Sequence, residues 1–153
     1  MVSEINLKVN SDRSWVFDAR EFGKQLENGV TKLIINIPAE LNALSWQHYL
    51  EFKTPSGLAT STGALEAIYK DDMFLIEYDL FAGLIAREGT YEMQYIARNL
   101  DTEQIWKSNV VRFVIGRSVN AAETIEKHEE FIVYLEKKLG DFHAVLDDIG
   151  GVI

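Results

Sequence analysis

The chain contains no cysteine, and it has only two prolines among its 153 residues. Without cysteine, a disulfide framework, a thiolate metal site and a thiol nucleophile are all excluded. No apolar run approaches the ~20 residues that a bilayer-spanning helix needs, so we expect no membrane span. The first residues, Met1–Glu4, lack the basic flank and apolar stretch of a signal peptide, so we do not expect secretion by that route.

Positive charge is also scarce, since 15 basic residues face 24 acidic ones and the formal net charge is −9. This balance makes nucleic acid or an anionic membrane an unexpected partner. The hydrophobic fraction of 47% is that of a folded chain, and the length fits one ordinary domain.

The spacing of apolar residues changes near residue 118. Before this point apolar residues recur at every second position, and after it they recur in steps of three and four. All three tryptophans and both prolines lie in the first part. We therefore predict two units, a domain at 1–117 and a helix at 118–150.

The first unit shows the alternation typical of short strands separated by turns. One face of a predicted strand carries Trp46, His48, Leu50 and Phe52, and the longest alternation follows Gly89. About eight strands are expected, which indicates a mainly β fold, an antiparallel Ig-like β-sandwich. Trp15 begins a short edge strand, and the segment Ala19–Asn28 is either a short helix or an irregular connection.

The second unit carries a heptad pattern. The a and d positions, in chain order, are Ile125, His128, Ile132, Leu135, Leu139, Phe142, Leu146 and Ile149. Such a seam predicts a coiled-coil stem that joins copies of the chain. Phe131 and Val145 widen the seam, which favours a homotrimer. The alternative is an amphipathic helix that packs back on its own sandwich, because core-facing helices have the same spacing.

The histidines give two different predictions. His48 shares a strand face with Trp46 and Leu50, so we expect a core residue rather than a metal ligand or base. His128 at a d position would bring three imidazoles together in a trimer, and protonation below pH ~6.5 should weaken that bundle. A metal or anion site at this ring is the less favoured alternative.

Residues for catalysis are hard to find. Glu77 and Asp79 share one strand face, but a glycosidase needs two carboxylates across a cleft, and no motif for calcium, zinc, phosphate or a nucleophilic serine occurs. We expect no enzyme activity and no cofactor. An exposed aromatic on a sandwich can stack on a sugar, and Trp15 is the best candidate, so a carbohydrate-binding module that recognises cell-surface glycans is the alternative function.

Several stretches resemble small structural proteins of tailed phages or prophages of Gram-positive bacteria, of the upper-baseplate, tail-fibre or head-fibre type. The carrying stretches are Trp15–Phe22, Leu33–Leu41, Tyr49–Gly57, Gly89–Asn99, Lys107–Ile115 and Arg117–Ala122. They are strand patterns and a junction, without catalytic signatures.

The resemblance implies a virion component, made in the cytoplasm of the host bacterium, that docks on tail or capsid proteins and serves host attachment. Many such proteins continue into a host-recognition head, whereas this sequence stops at Ile153. This departure argues against direct binding of a receptor and favours an adaptor, a truncated form of such a protein or a head decoration.

Overall fold

A computed structural model describes residues 2–42 and 44–119. The chain divides into two units, Met1–Ser118 and Val119–Ile153, and the described elements all belong to the first. Its strands are β1 Ser3–Val9, β2 Trp15–Phe17, β3 Glu21–Lys24, β4 Thr31–Asn36, β5 Trp46–Lys53, β6 Ala59–Ser61, β7 Ile68–Lys70, β8 Met73–Asp79, β9 Gly89–Asn99, β10 Ile105–Lys107 and β11 Val111–Gly116. A single 3-10 turn, Ala39–Leu41, follows β4.

The strands form two sheets, and the predicted mainly β sandwich is confirmed. Sheet A has the order β2-β1-β4-β8-β7, and sheet B has the order β3-β11-β9-β5-β6. In sheet B, β10 pairs with the C-terminal half of β9. The orders β1-β4-β8-β7 and β11-β9-β5-β6 place strands that are distant in the chain next to one another.

The prediction of a purely antiparallel sandwich is wrong for one strand pair in each sheet. β1 runs parallel to β4, and β3 runs parallel to β11. The chain leaves sheet A after β2, adds β3 to sheet B and then returns as β4, so two strands enter in the same direction as their neighbours. Side chains alternate with period two in parallel and antiparallel strands alike, and the apolar pattern could not distinguish them.

The core lies between the two sheets and follows the alternation of the sequence. In β4, Thr31, Leu33 and Ile35 are buried, while the residues between them are partly exposed. In β9, Tyr91, Met93 and Tyr95 point into the same core. The rings of Phe52 and Tyr78 stack at 5.6 Å and join β5 of sheet B to β8 of sheet A.

A tyrosine fixes the loop that enters β9. The Tyr91 side chain is fully buried, and its hydroxyl donates to the carbonyl of Arg87 at 2.7 Å. This is the arrangement of a tyrosine corner, in which a tyrosine near the start of a strand bonds back to the backbone a few residues upstream. The hydrogen bond holds the crossing between the sheets in one conformation.

The other predictions for the first unit have mixed outcomes. Trp15–Phe17 forms the predicted edge strand. The uncertain segment Ala19–Asn28 contains a strand, β3, and no helix. The predicted C-terminal helix and its seam, Ile125 to Ile149, lie outside the described residues, so stem, trimer and the 118–150 boundary stay predictions.

Candidate functional site

The structure places the predicted glycan-binding residue, Trp15, where the edge of sheet A meets sheet B. Its indole N–H donates to the carbonyl of Asn109 at 2.7 Å and to the Ser108 hydroxyl at 3.2 Å, and the ring packs against the core. Trp15 therefore ties β2 of sheet A to the strand connection that leads into β11. A role in sugar binding stays a prediction.

The turn beside Trp15 makes further contacts between the edge of sheet A and sheet B. Arg13 has a positive φ of 80° and donates from Nη1 to the carbonyl of Lys107 at 3.1 Å. Its guanidinium lies 5.4 Å from the centre of the Trp106 ring, within reach of a cation–π interaction. A left-handed arginine costs free energy, and the contacts to sheet B offset that cost.

His48 is a core residue, as predicted. It is buried, and its Nδ1 lies 2.6 Å from the hydroxyl of Tyr95, with the two rings stacked at 5.9 Å. Burial lowers the pKa of His48 and raises the pKa of Tyr95, because both charged forms lose water. Both side chains are therefore neutral at pH 7, a state that suits a structural pair.

Glu77 and Asp79 do not form a paired-carboxylate site. Both project outward from β8 in sheet A, and Glu77 lies 3.8 Å from the ammonium of Lys32 on β4. In the register of these strands, Lys32 stands opposite Asp79, so the same lysine on the neighbouring strand lies beside both carboxylates. Across residues 2–42 and 44–119, His, Asp and Glu form no group of three that could hold a metal ion.

The point where the chain leaves the sandwich is held by a buried glutamine. Gln25 is 7% exposed, its side-chain oxygen accepts from the Ser118 N–H at 2.9 Å, and its backbone carbonyl accepts from the Ser118 hydroxyl at 3.1 Å. Its own N–H donates to the carbonyl of Gly116 at 2.9 Å, and its amide nitrogen donates to that of Ala86 at 3.4 Å. We call Gln25, Gly116 and Ser118 the exit latch.

The hydrogen bonds of the exit latch attach Gly116 and Ser118 to the sandwich. A side-chain amide can satisfy two neighbours at once, and here it bonds β11's extension on one side and the Phe81–Ala86 loop on the other. The path through Ser118 is consequently fixed where the predicted stem begins. Nothing in the sequence identifies Gln25, because only the fold brings residues 25 and 118 together.

The outward-facing side of sheet B, which we call face B, is charged. Across β5, β9 and β11, Lys53, Glu92 and Arg112 stand in one cross-strand row, and Arg112 pairs with Glu92 at 3.2 Å. A shallow groove of ≈ 380 Å³ runs beside this row, with Glu51, Gln94 and Val110 in its lining. Oppositely charged cross-strand neighbours support a sheet surface that stays hydrated.

The outward-facing side of sheet A, face A, is different in character. Near its centre Ile34 and Leu75 lie beside the polar Asn6 and Asn36, and its other apolar members are Val16 on β2, Met73 on β8 and Ile68 on β7. Leu75 is only 7% exposed although it points away from the core. It lies in the floor of a groove of ≈ 300 Å³ that Asn6, Asn36 and Val16 also line.

The sequence signal that concerns face A is Leu33–Ile37, a nearly continuous apolar run typical of a strand covered on both sides. The structure instead leaves Ile34 partly exposed on the outer side. The available signal was the continuous apolar run itself, which requires cover on its second face. In the described part of the chain, no helix or sheet packs over that face.

No protein-family model matches the chain, and no curated protein matches it. A solved structure described as "N-terminal domain of phage TP901-1 ORF48" aligns with it at a TM-score of 0.47 and 10% identity, covering 74% of this chain and 97% of that one. At this level the likeness carries no inference about fold or function. Within the described residues, no helix is long and apolar enough to cross a membrane.

Proposed function

We propose that this chain is a non-enzymatic structural protein of a tailed-phage or prophage virion. It oligomerises through Ile125–Ile149, most simply as a trimer, and docks on tail or capsid proteins as an adaptor for host attachment. The sequence resemblance supports the virion role. The observation that carries the adaptor role is the exit latch, because it holds the chain at Gly116–Ser118 immediately before the heptad segment.

The proposed mechanism is avidity. Sandwiches fixed to one stem meet their docking sites at a high effective concentration, so the oligomer attaches more tightly than a single sandwich even when each contact is weak. A flexible exit would reduce this gain, since every sandwich would first have to be ordered. The hydrogen bonds of Gln25 to Ser118 keep the exit ordered before binding.

The test introduces a charge into the predicted seam. Leu135→Asp places a carboxylate at a d position, and we expect the full-length oligomer to become a monomer in light scattering while the β-sheet signal in circular dichroism is retained. Lys137→Asp is the matched control, because it introduces the same side chain at an f position on the outside of the predicted bundle.

Two results contradict the proposal. If the wild-type protein is monomeric at all concentrations, the proposal that Ile125–Ile149 forms an oligomerising stem is wrong. Loss of the β-sheet signal in Leu135→Asp, but not in Lys137→Asp, would mean that the helix packs on its own sandwich, which is the alternative left open by the sequence.

A further inference from the structure

We infer that face A binds face A of a second copy of this chain. This contact goes beyond the proposed function, which leaves the docking face open, and it does not require the stem. Face A is outlined by the outward positions of sheet A, namely Glu4, Asn6, Lys8, Val16, Lys32, Ile34, Asn36, Ile68, Lys70, Met73, Leu75, Glu77 and Asp79.

The centre of face A has the shape and chemistry of a contact surface. Ile34 and Leu75 lie at the bottom of a groove, and Val16, which is 55% exposed, stands at its edge. Isolated exposed apolar residues are ordinary, whereas a contiguous apolar patch with a polar rim marks an interaction site. An exposed valine beside an apolar groove allows the valine of each copy to enter the groove of the other.

Two side-chain amides in this patch are free. Asn6 and Asn36 stand on neighbouring strands, one opposite Ile34 and the other opposite Leu75. Within residues 2–42 and 44–119, neither side chain makes a hydrogen bond. A carboxamide both donates and accepts, so an amide on one copy can pair with an amide on another. This self-complementarity is what an isologous contact requires.

The charges of face A favour a like partner. Three ammonium groups, Lys8, Lys32 and Lys70, balance three carboxylates, Glu4, Glu77 and Asp79. A chain of net charge −9 repels its copies over most of its surface. Face A is locally neutral, so two copies can meet there without facing like charge.

The area of face A sets the strength of the contact. The five strands of sheet A are seven, three, six, seven and three residues long, which gives roughly 410 Å² per copy at the usual rise and strand spacing. This is about half of the ~800 Å² per partner of a standard stable interface. We therefore expect a weak dimer that forms at high protein concentration or between sandwiches held close together.

The experiment compares two exposed valines, one on each face. Val16→Glu changes face A, and Val114→Glu makes the same change on β11 of face B, where Val114 is 40% exposed. Both are introduced into full-length Leu135→Asp protein, and self-association is measured by sedimentation equilibrium over a wide concentration range. Val16→Glu should raise the dimer dissociation constant at least ~10-fold, and Val114→Glu less than ~2-fold.

A cysteine placed in the patch gives a second, independent measurement, since the natural chain has no thiol. Asn36→Cys should form a disulfide-linked dimer under mild oxidation, whereas Glu51→Cys on β5 of face B should stay monomeric. Equal effects of the two valine substitutions, or a thiol at position 36 that labels readily but never dimerises, would overturn the inference and leave another protein as the occupant.

The outcomes separate this inference from the proposed stem. If Leu135→Asp leaves the oligomer unchanged while Val16→Glu dissociates it, the stem proposal fails and face A is the contact between copies. If Leu135→Asp alone yields a monomer at every concentration, the stem holds and the face A contact is absent.

Discussion

The two sheets of the sandwich divide polar and apolar groups in opposite ways. Sheet A presents aliphatic side chains such as Leu33, Ile35 and Ile76 to the core and keeps an apolar patch on its outside. Sheet B contributes stacked aromatics such as Phe113 and the polar His48–Tyr95 pair to the core, while its outside is a charged surface. In the described part of the chain, the outer side of sheet B carries charged side chains, whereas the outer side of sheet A leaves apolar side chains exposed to water.

Because the outer faces differ, we expect the core to determine the stability of the sandwich and the outer face of sheet A to determine its contact with other molecules. Face B has charged groups such as Lys53, Glu92 and Arg112, which gain little from leaving water. Face A retains apolar area that becomes favourable when it is covered. The sandwich is thus asymmetric, and the comparison predicts different consequences for equivalent changes inside, outside and between the sheets.

The largest effect is expected inside sheet A. Ile35 is fully buried, and Ile35→Ala should lower the free energy of unfolding by about 3 kcal/mol, because it removes apolar contacts and leaves a cavity. Ile34→Ala, one residue earlier on the outer face, should cost about 1 kcal/mol or less. Urea unfolding of both variants measures the difference, and equal losses would mean that the outer face is as covered as the core.

The next effect concerns the exit latch on sheet B. Gln25→Ala should lower the free energy of unfolding by about 2 kcal/mol, because buried groups lose hydrogen-bond partners. It should also raise the amide hydrogen exchange of Ser118. The control is Gln94→Ala, which removes a side-chain bond to the Ser108 carbonyl on face B without changing exchange at Ser118. Unchanged exchange in Gln25→Ala would show that the latch does not order the exit.

A smaller effect is the pH dependence that sheet B's polar pair introduces. The folded pKa of His48 is lowered by burial from its ordinary value of 6.5. The unfolded chain therefore binds the proton more readily, and stability is complete above pH ~6.5 and decreases as the pH falls below it. Urea unfolding at pH 7.5 and pH 5.5 measures this loss.

His48→Phe is the matched variant for the pH experiment. It should be less stable at both values, because the Tyr95 hydroxyl loses its partner, and the difference between the two pH values should shrink. An undiminished difference would assign the pH dependence to other groups.

The smallest effect is expected on face B. The Arg112–Glu92 pair lies at the surface, with the two side chains 66% and 35% exposed. Arg112→Ala should change the free energy of unfolding by less than about 0.5 kcal/mol, since water and salt screen such pairs. Thermal unfolding in low and high salt checks this. A loss above ~1 kcal/mol would mean that face B contributes to stability as the core does.

Local patterns account for much of the fold. Alternation predicted the strand Trp46–Lys53 and the inward position of His48, because side-chain period is a property of the backbone. Turn chemistry is equally local: the β7–β8 turn consists of Asp71 and Asp72, which have positive φ values of 51° and 61°, and aspartate tolerates that region. This is the conformation of a two-residue hairpin turn.

The candidate sites were less accessible to sequence reasoning. Gln25 and Ser118 lie far apart in the chain, and Trp15 was expected to be an exposed aromatic side chain. Asn109 provides a carbonyl for its indole N–H from the other sheet. Such pairings depend on how strands cross between sheets, and apolar spacing contains no information about that path.

The sequence by itself predicted a β domain of alternating strands, and it shows an acidic segment with heptad spacing after residue 118. Only the tertiary structure decided the direction of β1 against β4, the latch at Gln25 and the unequal outer faces. The physical reason is range: turn preference and alternation act between near neighbours, whereas strand partners, buried hydrogen bonds and the composition of a face depend on residues that only folding brings together.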